Sequence, residues 1–289
     1  MPDYRITSDS TVDLTPERME ELNVPFVQLH YTFEGKEYPD TMTVESANFL
    51  YDEMRSGKVA VTSQATVESF LSLWEPMLQQ GQDIVYVGFS SALSGTVNSG
   101  QIAREQLLEK YPERNIYIVD SLCASSGEGM LLEHAVRMQE EGLSARECYE
   151  KLEDMKLRVH HWFTVDDLVY LKRGGRVSKA SAFAAALLNI KPVLNMDNLG
   201  RLIPREKVKG RKAAIKKMFQ HMCEMMDPEN LFANISQADC IEDAKYLVSL
   251  IREKFPKIPV RIYSVGSVIG AHAGPGTLAL FFLGKLRVN

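Results

Sequence analysis

The sequence predicts an α/β protein in two parts: an N-terminal three-layer domain on a parallel, Rossmann-like sheet (residues 1–157) and a C-terminal two-layer α/β domain with a mixed sheet (residues 158–289). Three observations predict it. Up to about residue 155, short apolar runs alternate with stretches of helical spacing, the rhythm of strand-helix-strand crossovers. Beyond that point six short β-like pieces share the chain with only two long helices. A chain of 289 residues is also long for one core and suits two.

The elements follow in order. YRITSDS at 4–10 reads as a strand opening onto hydroxyls and a carboxylate. Thr15 before Pro16 is an N-cap with proline at the first helical position, starting a helix to Leu22. Residues 24–33 read as one strand, closed by the turn Glu34-Gly35-Lys36. Val44, Ala47, Leu50, Tyr51 and Met54 recur at helical spacing until Gly57. Residues 59–64 form a strand ending in TSQ, and Val67, Phe70, Leu71 and Trp74 mark the helix after it. DIVYVGF at 83–89 is apolar throughout, as a strand covered on both faces must be. It runs into SSALSGT at 90–96 and a helix reaching Tyr111. Residues 115–119 form the next strand, ending at Asp120-Ser121, and a glycine-rich turn at 125–129 opens the helix of Met130, Leu131, Ala135 and Met138. In a parallel sheet the polar loops at 7–10, 62–63, 90–96 and 120–121 all follow strands and gather at one edge. Open α/β sheets bind ligands there.

A helix at 145–155 leads into the second part, with strands expected at 161–165, 191–195, 202–204, 232–236, 260–264 and 279–283 and helices at 209–226 and 241–255. AFAAALL at 182–188 is apolar on every face, which predicts a buried helix. Its small side chains suit either close helix packing or space for an alkyl chain.

Composition excludes several functions. The net charge of −5 argues against nucleic acid as the main partner, since phosphate neutralisation needs a basic surface. Within that acidic chain Arg201, Arg205, Lys207, Lys209, Arg211, Lys212, Lys216 and Lys217 cluster, either as a docking patch or as a solvated face. No basic-then-apolar leader opens the chain, and the longest apolar runs are too short to span a bilayer, so a cytoplasmic protein is expected. Cys123, Cys148, Cys223 and Cys240 lack the spacing of a disulfide framework or zinc knuckle. The six histidines offer only the adjacent His160-His161, so no metal is expected. Neither GxGxxG nor GxxxxGK[ST] occurs, and no cofactor is expected.

Three stretches carry candidate chemistry. GAHAGPG at 270–276 sets His272 among glycines beyond a strand, where backbone N–H groups and an imidazole suit a carboxylate or phosphate; a glycine-rich turn with a packed histidine fits equally. Ser94 lies between a strand and a helix, as an N-cap or as a nucleophile with His272 as base. A nucleophile elbow would need glycine at positions 92 and 96, which hold alanine and threonine. Thr62 and Ser63 carry the same ambiguity between cap and ligand. YLKRGGRVS at 170–178 joins paired glycines to three cations, suited to an anion or to an exposed turn.

Together TSDST at 7–11, TSQ at 62–64, SSALSGT at 90–96, Asp120-Ser121, YLKRGGRVS at 170–178, NIKPVL at 189–194 and GAHAGPG at 270–276 resemble the DegV family of bacterial proteins over essentially the whole chain. The resemblance implies a fatty-acid-binding subunit of a bacterial fatty acid kinase, without turnover of its own. The acyl tail would lie buried between the domains, with Thr62, Ser63, Ser94, Gly95, Thr96 and His272 around the carboxylate. Arg173 would lie beside the mouth, and Arg201 or Arg205 would help dock the kinase catalytic subunit, which would bring ATP and magnesium. Transient contact with a membrane surface would accompany lipid exchange. One departure is DNLG at 197–200, where the family more usually has a glycine pair after the aspartate. Two rival readings are a serine esterase using Ser94 and His272, and a protein of the related dihydroxyacetone kinase fold in which His272 binds a small ketone.

Overall fold

The computed structural model describes residues 3–177 and 189–287; the helix expected at 182–188 lies outside the described residues. The first half runs β1 (Tyr4–Asp9), α1 (Pro16–Glu21), β2 (Phe26–Val27), β3 (His30–Phe33), β4 (Lys36–Pro39), α2 (Val44–Arg55), β5 (Val61–Ser63), α3 (Val67–Gln79), β6 (Asp83–Gly88), α4 (Thr96–Lys110), β7 (Ile116–Asp120), α5 (Ser126–Glu140) and α6 (Ala145–Met155). The second runs β8 (Val159–Thr164), α7 (Val169–Arg173), β9 (Ile190–Met196), β10 (Leu202–Lys209), α8 (Arg211–Met225), β11 (Ala233–Gln237), α9 (Ile241–Lys254), β12 (Val260–Ser264), α10 (Ser267–Ala273) and β13 (Leu278–Leu283).

Local chemistry starts the helices where the sequence provides caps. Thr15, Thr43 and Thr66 each accept a hydrogen bond from the N–H three residues on, and Ser144 with Glu147 closes a capping box at α6. Four strands then pair in parallel in the order β2-β1-β6-β7. β6 is apolar because both its faces are covered. Ile84 and Tyr86 share a core with Phe70, Trp74 and Leu107, whereas Val85 and Val87 share one with Met130, Leu131 and Cys148. These are the three layers expected.

The second sheet is mixed, ordered β10-β9-β8-β13-β11-β12, with only β11 and β12 parallel. α8 and α9 cover one face through Ala214, Ile215, Met218, Leu247 and Ile251. α5 packs on the other face while also touching β1 and β6, so a single helix lies between the two sheets. That close fit needs Gly127, where a Cβ would come within 2.4 Å of His161 Nε2.

Three expectations require correction. Residues 61–63 do not enter the parallel sheet: β5 pairs antiparallel with β3, and β3 with β4, in a separate three-stranded sheet. The strand expected at 24–33 breaks at Leu29, whose N–H donates to Ser10 Oγ and whose carbonyl accepts from Asp40 N–H, so the chain leaves the parallel sheet there. The stretch around His272 is not simply a glycine-rich turn. Ser267–Ala273 is helical, and the loop begins only at Gly274, where φ is 81°.

Candidate functional site

At the carboxyl edge of the parallel sheet, facing the second sheet, lies a cavity of about 180 Å³. The loop after β6 lends it Phe89, Leu93, Ser94 and Gly95, and the loop after β7 lends Ala124 and Ser125. β5 and its exit supply Thr62, Ser63 and Gln64, and α10 supplies Val268, Ile269, His272 and Ala273. Side chains alternate along a strand, and the register pairs Phe163 with Ala279 and His161 with Phe281, so these four make the floor.

Most of the lining is apolar, and the polar groups along the floor are turned away from the space. Ser125 Oγ donates to Asp13 at 2.5 Å, and Thr277 Oγ1 donates to the carbonyls of Ala273 and Gly274. His161 uses both ring nitrogens: Nε2 faces the Ala124 N–H at 3.1 Å and therefore accepts, leaving Nδ1 to donate to the Val159 carbonyl at 3.1 Å. Burial holds its pKa well below the ordinary value, so the ring stays neutral.

The polar groups that face the space gather near α10. Thr62 Oγ1 and His272 Nε2 are 2.7 Å apart. Gln64 Nε2 donates to Ser99 Oγ and the Ala65 N–H donates to Thr96 Oγ1, which ties the exit of β5 to the start of α4 and so brings Thr62 towards Ser94. Gly95 is needed for that seam, because a Cβ would come within 2.0 Å of Gln64 Oε1. Burial, and then the Arg176 charge, push the His272 pKa down to about 4, so the imidazole is neutral at physiological pH.

Five of the six residues expected around an anion therefore line one cavity: Thr62, Ser63, Ser94, Gly95 and His272. Thr96 stands behind them, fully buried, with its Oγ1 3.0 Å from Ser94 Oγ. The backbone donors are not where the sequence suggested. The N–H groups of Gly274 and Gly276 are already bonded to Gly270 O and Ala238 O. The available end of a helix is instead the N-terminus of α4 beside Ser94 and Gly95, the positive end of its dipole. Nor do Ser94 and His272 form a dyad: Ser94 Oγ pairs with Thr96 and His272 Nε2 with Thr62.

The arginines are rearranged as well. Of the three cations in YLKRGGRVS, Arg176 lines the cavity itself; its Nε donates to Leu93 O and its Nη1 to Gly174 O. Arg173 is exposed and lines an adjoining pocket. Arg201 pairs with Asp197 at 2.7 Å, close to the mouth because Val177 bridges Leu202. Burial would raise the Asp197 pKa, but hydrogen bonds from Arg201 and from two backbone N–H groups outweigh it and leave it lowered. Arg205 opens onto a separate pocket with His160 and Trp162, on the opposite face of β8 from His161. Other lining residues the sequence did not single out include His161, Phe163, Ala279 and Phe281. Their only signal is strand alternation, which gives the face and not the cavity. Among the described residues no group of His, Cys, Asp or Glu could hold a metal, and no helix is long and apolar enough to cross a membrane.

A DegV domain-containing protein of Clostridium perfringens is 41% identical over 289 residues, covering 99% of both chains. The structure of a DegV family protein from Thermus thermophilus, described for its fatty acid binding, superposes with a TM-score of 0.88 at 27% identity, covering 98% of this chain and 100% of that one. A Thermotoga maritima structure described as revealing a fatty acid binding function gives a TM-score of 0.85 at 29% identity, over 99% of this chain and 100% of that one. The family model described as an uncharacterised protein of the DegV family matches residues 3–285, and this chain belongs to the DegV family.

Proposed function

We propose that this protein binds a long-chain fatty acid with its tail in the cavity and its carboxylate at Thr62, Ser94 and His272, and presents that carboxylate to a separate ATP-dependent kinase subunit. The observation that carries the reading is the division of one cavity into an apolar floor and a single polar end. Each buried methylene contributes about 0.8 kcal/mol, so a long tail supplies the affinity. The head loses its hydration and regains hydrogen bonds from the two hydroxyls and the start of α4, the neutral His272 imidazole acting through its pair with Thr62. Ser63 and Gly95 border the head, and Thr96 holds Ser94 in place. Relatives described as fatty-acid-binding support the ligand class.

In the kinase step a carboxylate oxygen attacks the γ-phosphorus of ATP and ADP leaves, so the acyl phosphate forms in the cavity while ATP and magnesium stay with the partner. The partner docks on the surface marked by Arg173, Arg201 and Arg205. The protein works in the cytoplasm as a carrier without turnover, its two domains meeting near residue 158, and touches membranes transiently through the exposed rim residues Val59 and Val61.

The test is native mass spectrometry of protein purified from a bacterial host, with solvent extraction of what it carries. A near-stoichiometric fatty acid, lost or reduced in the Ser94→Ala, His272→Ala double variant, is the expected result. Protein that is empty and refuses added fatty acids of several lengths would sink the carrier reading.

A further inference from the structure

The separate pocket onto which Arg205 opens has a volume of about 270 Å³, where a single water needs roughly 10–15 Å³. That is room for a small organic molecule. Strand alternation alone would send Arg205 and Glu206 to opposite faces of the sheet, but the pairing of β10 with β9 slips between Pro204 and Glu206, and the bulge lets both line this pocket. Trp162 of β8, Asn195 of β9, His221 of α8 and Arg287 complete the polar lining.

Three nitrogens here are unmatched. Trp162, Arg287 and His221 are only 4%, 5% and 9% exposed, yet Trp162 Nε1, Arg287 Nε and His221 Nδ1 have no hydrogen-bond partner among the described residues. Buried polar atoms are ordinarily satisfied, so three around one pocket point to a bound partner. The lining offers both donors and acceptors. Arg287 spends Nη1 and Nη2 on the carbonyls of Leu122 and Lys156 and keeps its Nε–H, and Arg205 spends its Nε on Asn195 Oδ1 and keeps the rest of its fork. Neither arginine makes an ion pair among the described residues. On the acceptor side, His221 Nε2 lies 2.6 Å from Glu206 Oε1 and donates to it. His221 Nδ1, when unprotonated, is then a free acceptor, with Glu224 Oε2 3.9 Å away and beyond hydrogen-bond reach. Lys217, 3.2 Å from Glu206 Oε2, offsets that carboxylate's charge without using all its lone pairs.

We propose that this pocket binds a small anion that also carries hydroxyl groups, a polyol phosphate or a hydroxy acid, with the anionic head on Trp162, Arg205 and Arg287 and a hydroxyl donating to Glu206 or His221. A bare inorganic anion would leave the acceptors unmet. A neutral polyol would leave two guanidinium groups without the charge their planar forks suit. The site lies across β8 from the lipid cavity and does not rest on the fatty acid reading.

The test is calorimetric titration of the whole chain with glycerol 3-phosphate, glycerate, inorganic phosphate and glycerol. One of the two hydroxylated anions is expected to bind at least tenfold more tightly than inorganic phosphate, and glycerol is expected not to bind. Tighter glycerol 3-phosphate assigns a phosphoryl head, and tighter glycerate a carboxylate. Trp162→Phe keeps a ring against His221, which stacks on the indole at 3.5 Å, and removes the N–H; it should weaken the preferred ligand about tenfold, the worth of one hydrogen bond to a charged group. Glu206→Gln removes a negative charge and an acceptor together. It should tighten inorganic phosphate and shrink the preference for the hydroxylated ligand about tenfold, a signature that mere loss of structure would not give. A wild type that binds none of the probes, inorganic phosphate binding as tightly as the hydroxylated anions, or Trp162→Phe binding like wild type would overturn the site, and each would leave the fatty acid reading standing.

Discussion

At the scale of single residues, the space around His272 is set by two neighbouring glycines for two different reasons. Gly174 has φ −73°, which any residue adopts, yet a Cβ there would come within 2.1 Å of His272 Nδ1. Gly175 has φ +67° and nothing within 4 Å. The first glycine makes room and the second relieves the backbone. Gly174→Ala is therefore expected to displace the imidazole from Thr62 and to weaken fatty acid binding about tenfold, the worth of roughly one hydrogen bond, with little change in melting temperature. Gly175→Ala should do the reverse, costing roughly 1 kcal/mol of stability through its left-handed backbone and leaving affinity close to wild type. Calorimetric titration and thermal unfolding of both variants decide it. If Gly174→Ala binds like wild type, the Thr62-His272 pair does not hold the head group.

At the scale of elements, β8 and β13 give the cavity its floor, and the small member of that floor is Ala279 opposite Phe163. Ala279→Leu adds three carbons into open space and not into a packed core, so the usual overpacking cost of about 1–3 kcal/mol should not appear. The expected outcome is an unchanged or raised melting temperature, strong loss of C16 to C18 acids and retained binding of acids near C10, read by competition with a fluorescent fatty acid. Undiminished binding of the long acids would mean the tail does not cross this row. These strands also show what the sequence could disclose. Each of the six strands of the second sheet was visible as a β-like run, and the two long helices agree within about two residues, because periodicity and caps act over a few neighbours. The five-residue α7 and seven-residue α10 were not visible, since two turns or fewer give no period to read. The departure of β5 into its own sheet was equally hidden. It depends on Leu29 bonding to Ser10 and Asp40, contacts spanning 19 and 11 positions. The site residues of the TSQ and SGT stretches were legible as motifs. Arg176 against Arg173 was not, because only the turn at Gly174-Gly175 decides which arginine faces inward.

At the scale of the whole molecule, an unusual set of buried ionisable groups fixes how stability follows pH. Asp9, Asp13, Asp40 and Glu128 are buried in the first half with no cationic partner among the described residues and are met by hydroxyls and backbone N–H groups: Thr11 and Tyr86 donate to Asp9, Ser125 and the Gly266 N–H to Asp13, Ser10 and the Ser267 N–H to Asp40, and Thr11 to Glu128. Burial, the largest cause in each case, raises all four, Asp40 to about 6 and Asp13 and Glu128 well above their ordinary values. His134, His160 and His272 are pushed down to about 4 by burial, and His161 lies well below its ordinary value. The two sets act in opposite directions. Between pH 4 and 6.5 the unfolded chain holds protons on those histidines that the fold does not, so they make stability rise with pH, while the fold holds protons on the acids that the unfolded chain has lost, so they make it fall. Above about pH 6.5 the histidines are neutral in both states and only the acids remain to act. The melting temperature should accordingly be nearly level from pH 5 to 6.5 and decline from pH 6.5 to 8.5, with a limit of about 1.4 kcal/mol per pH unit for each carboxyl still protonated in the fold. Asp13→Asn imitates the protonated acid, keeping an oxygen for the Gly266 N–H and an amide for Ser125, and should flatten that decline. Differential scanning fluorimetry of the two proteins across pH 5 to 8.5 makes the comparison. A wild-type melting temperature that climbs above pH 6.5, or an Asp13→Asn slope equal to the wild type's, would show that these carboxyls are ionised within the fold and that its hydroxyl and N–H donors suffice to hold the charge.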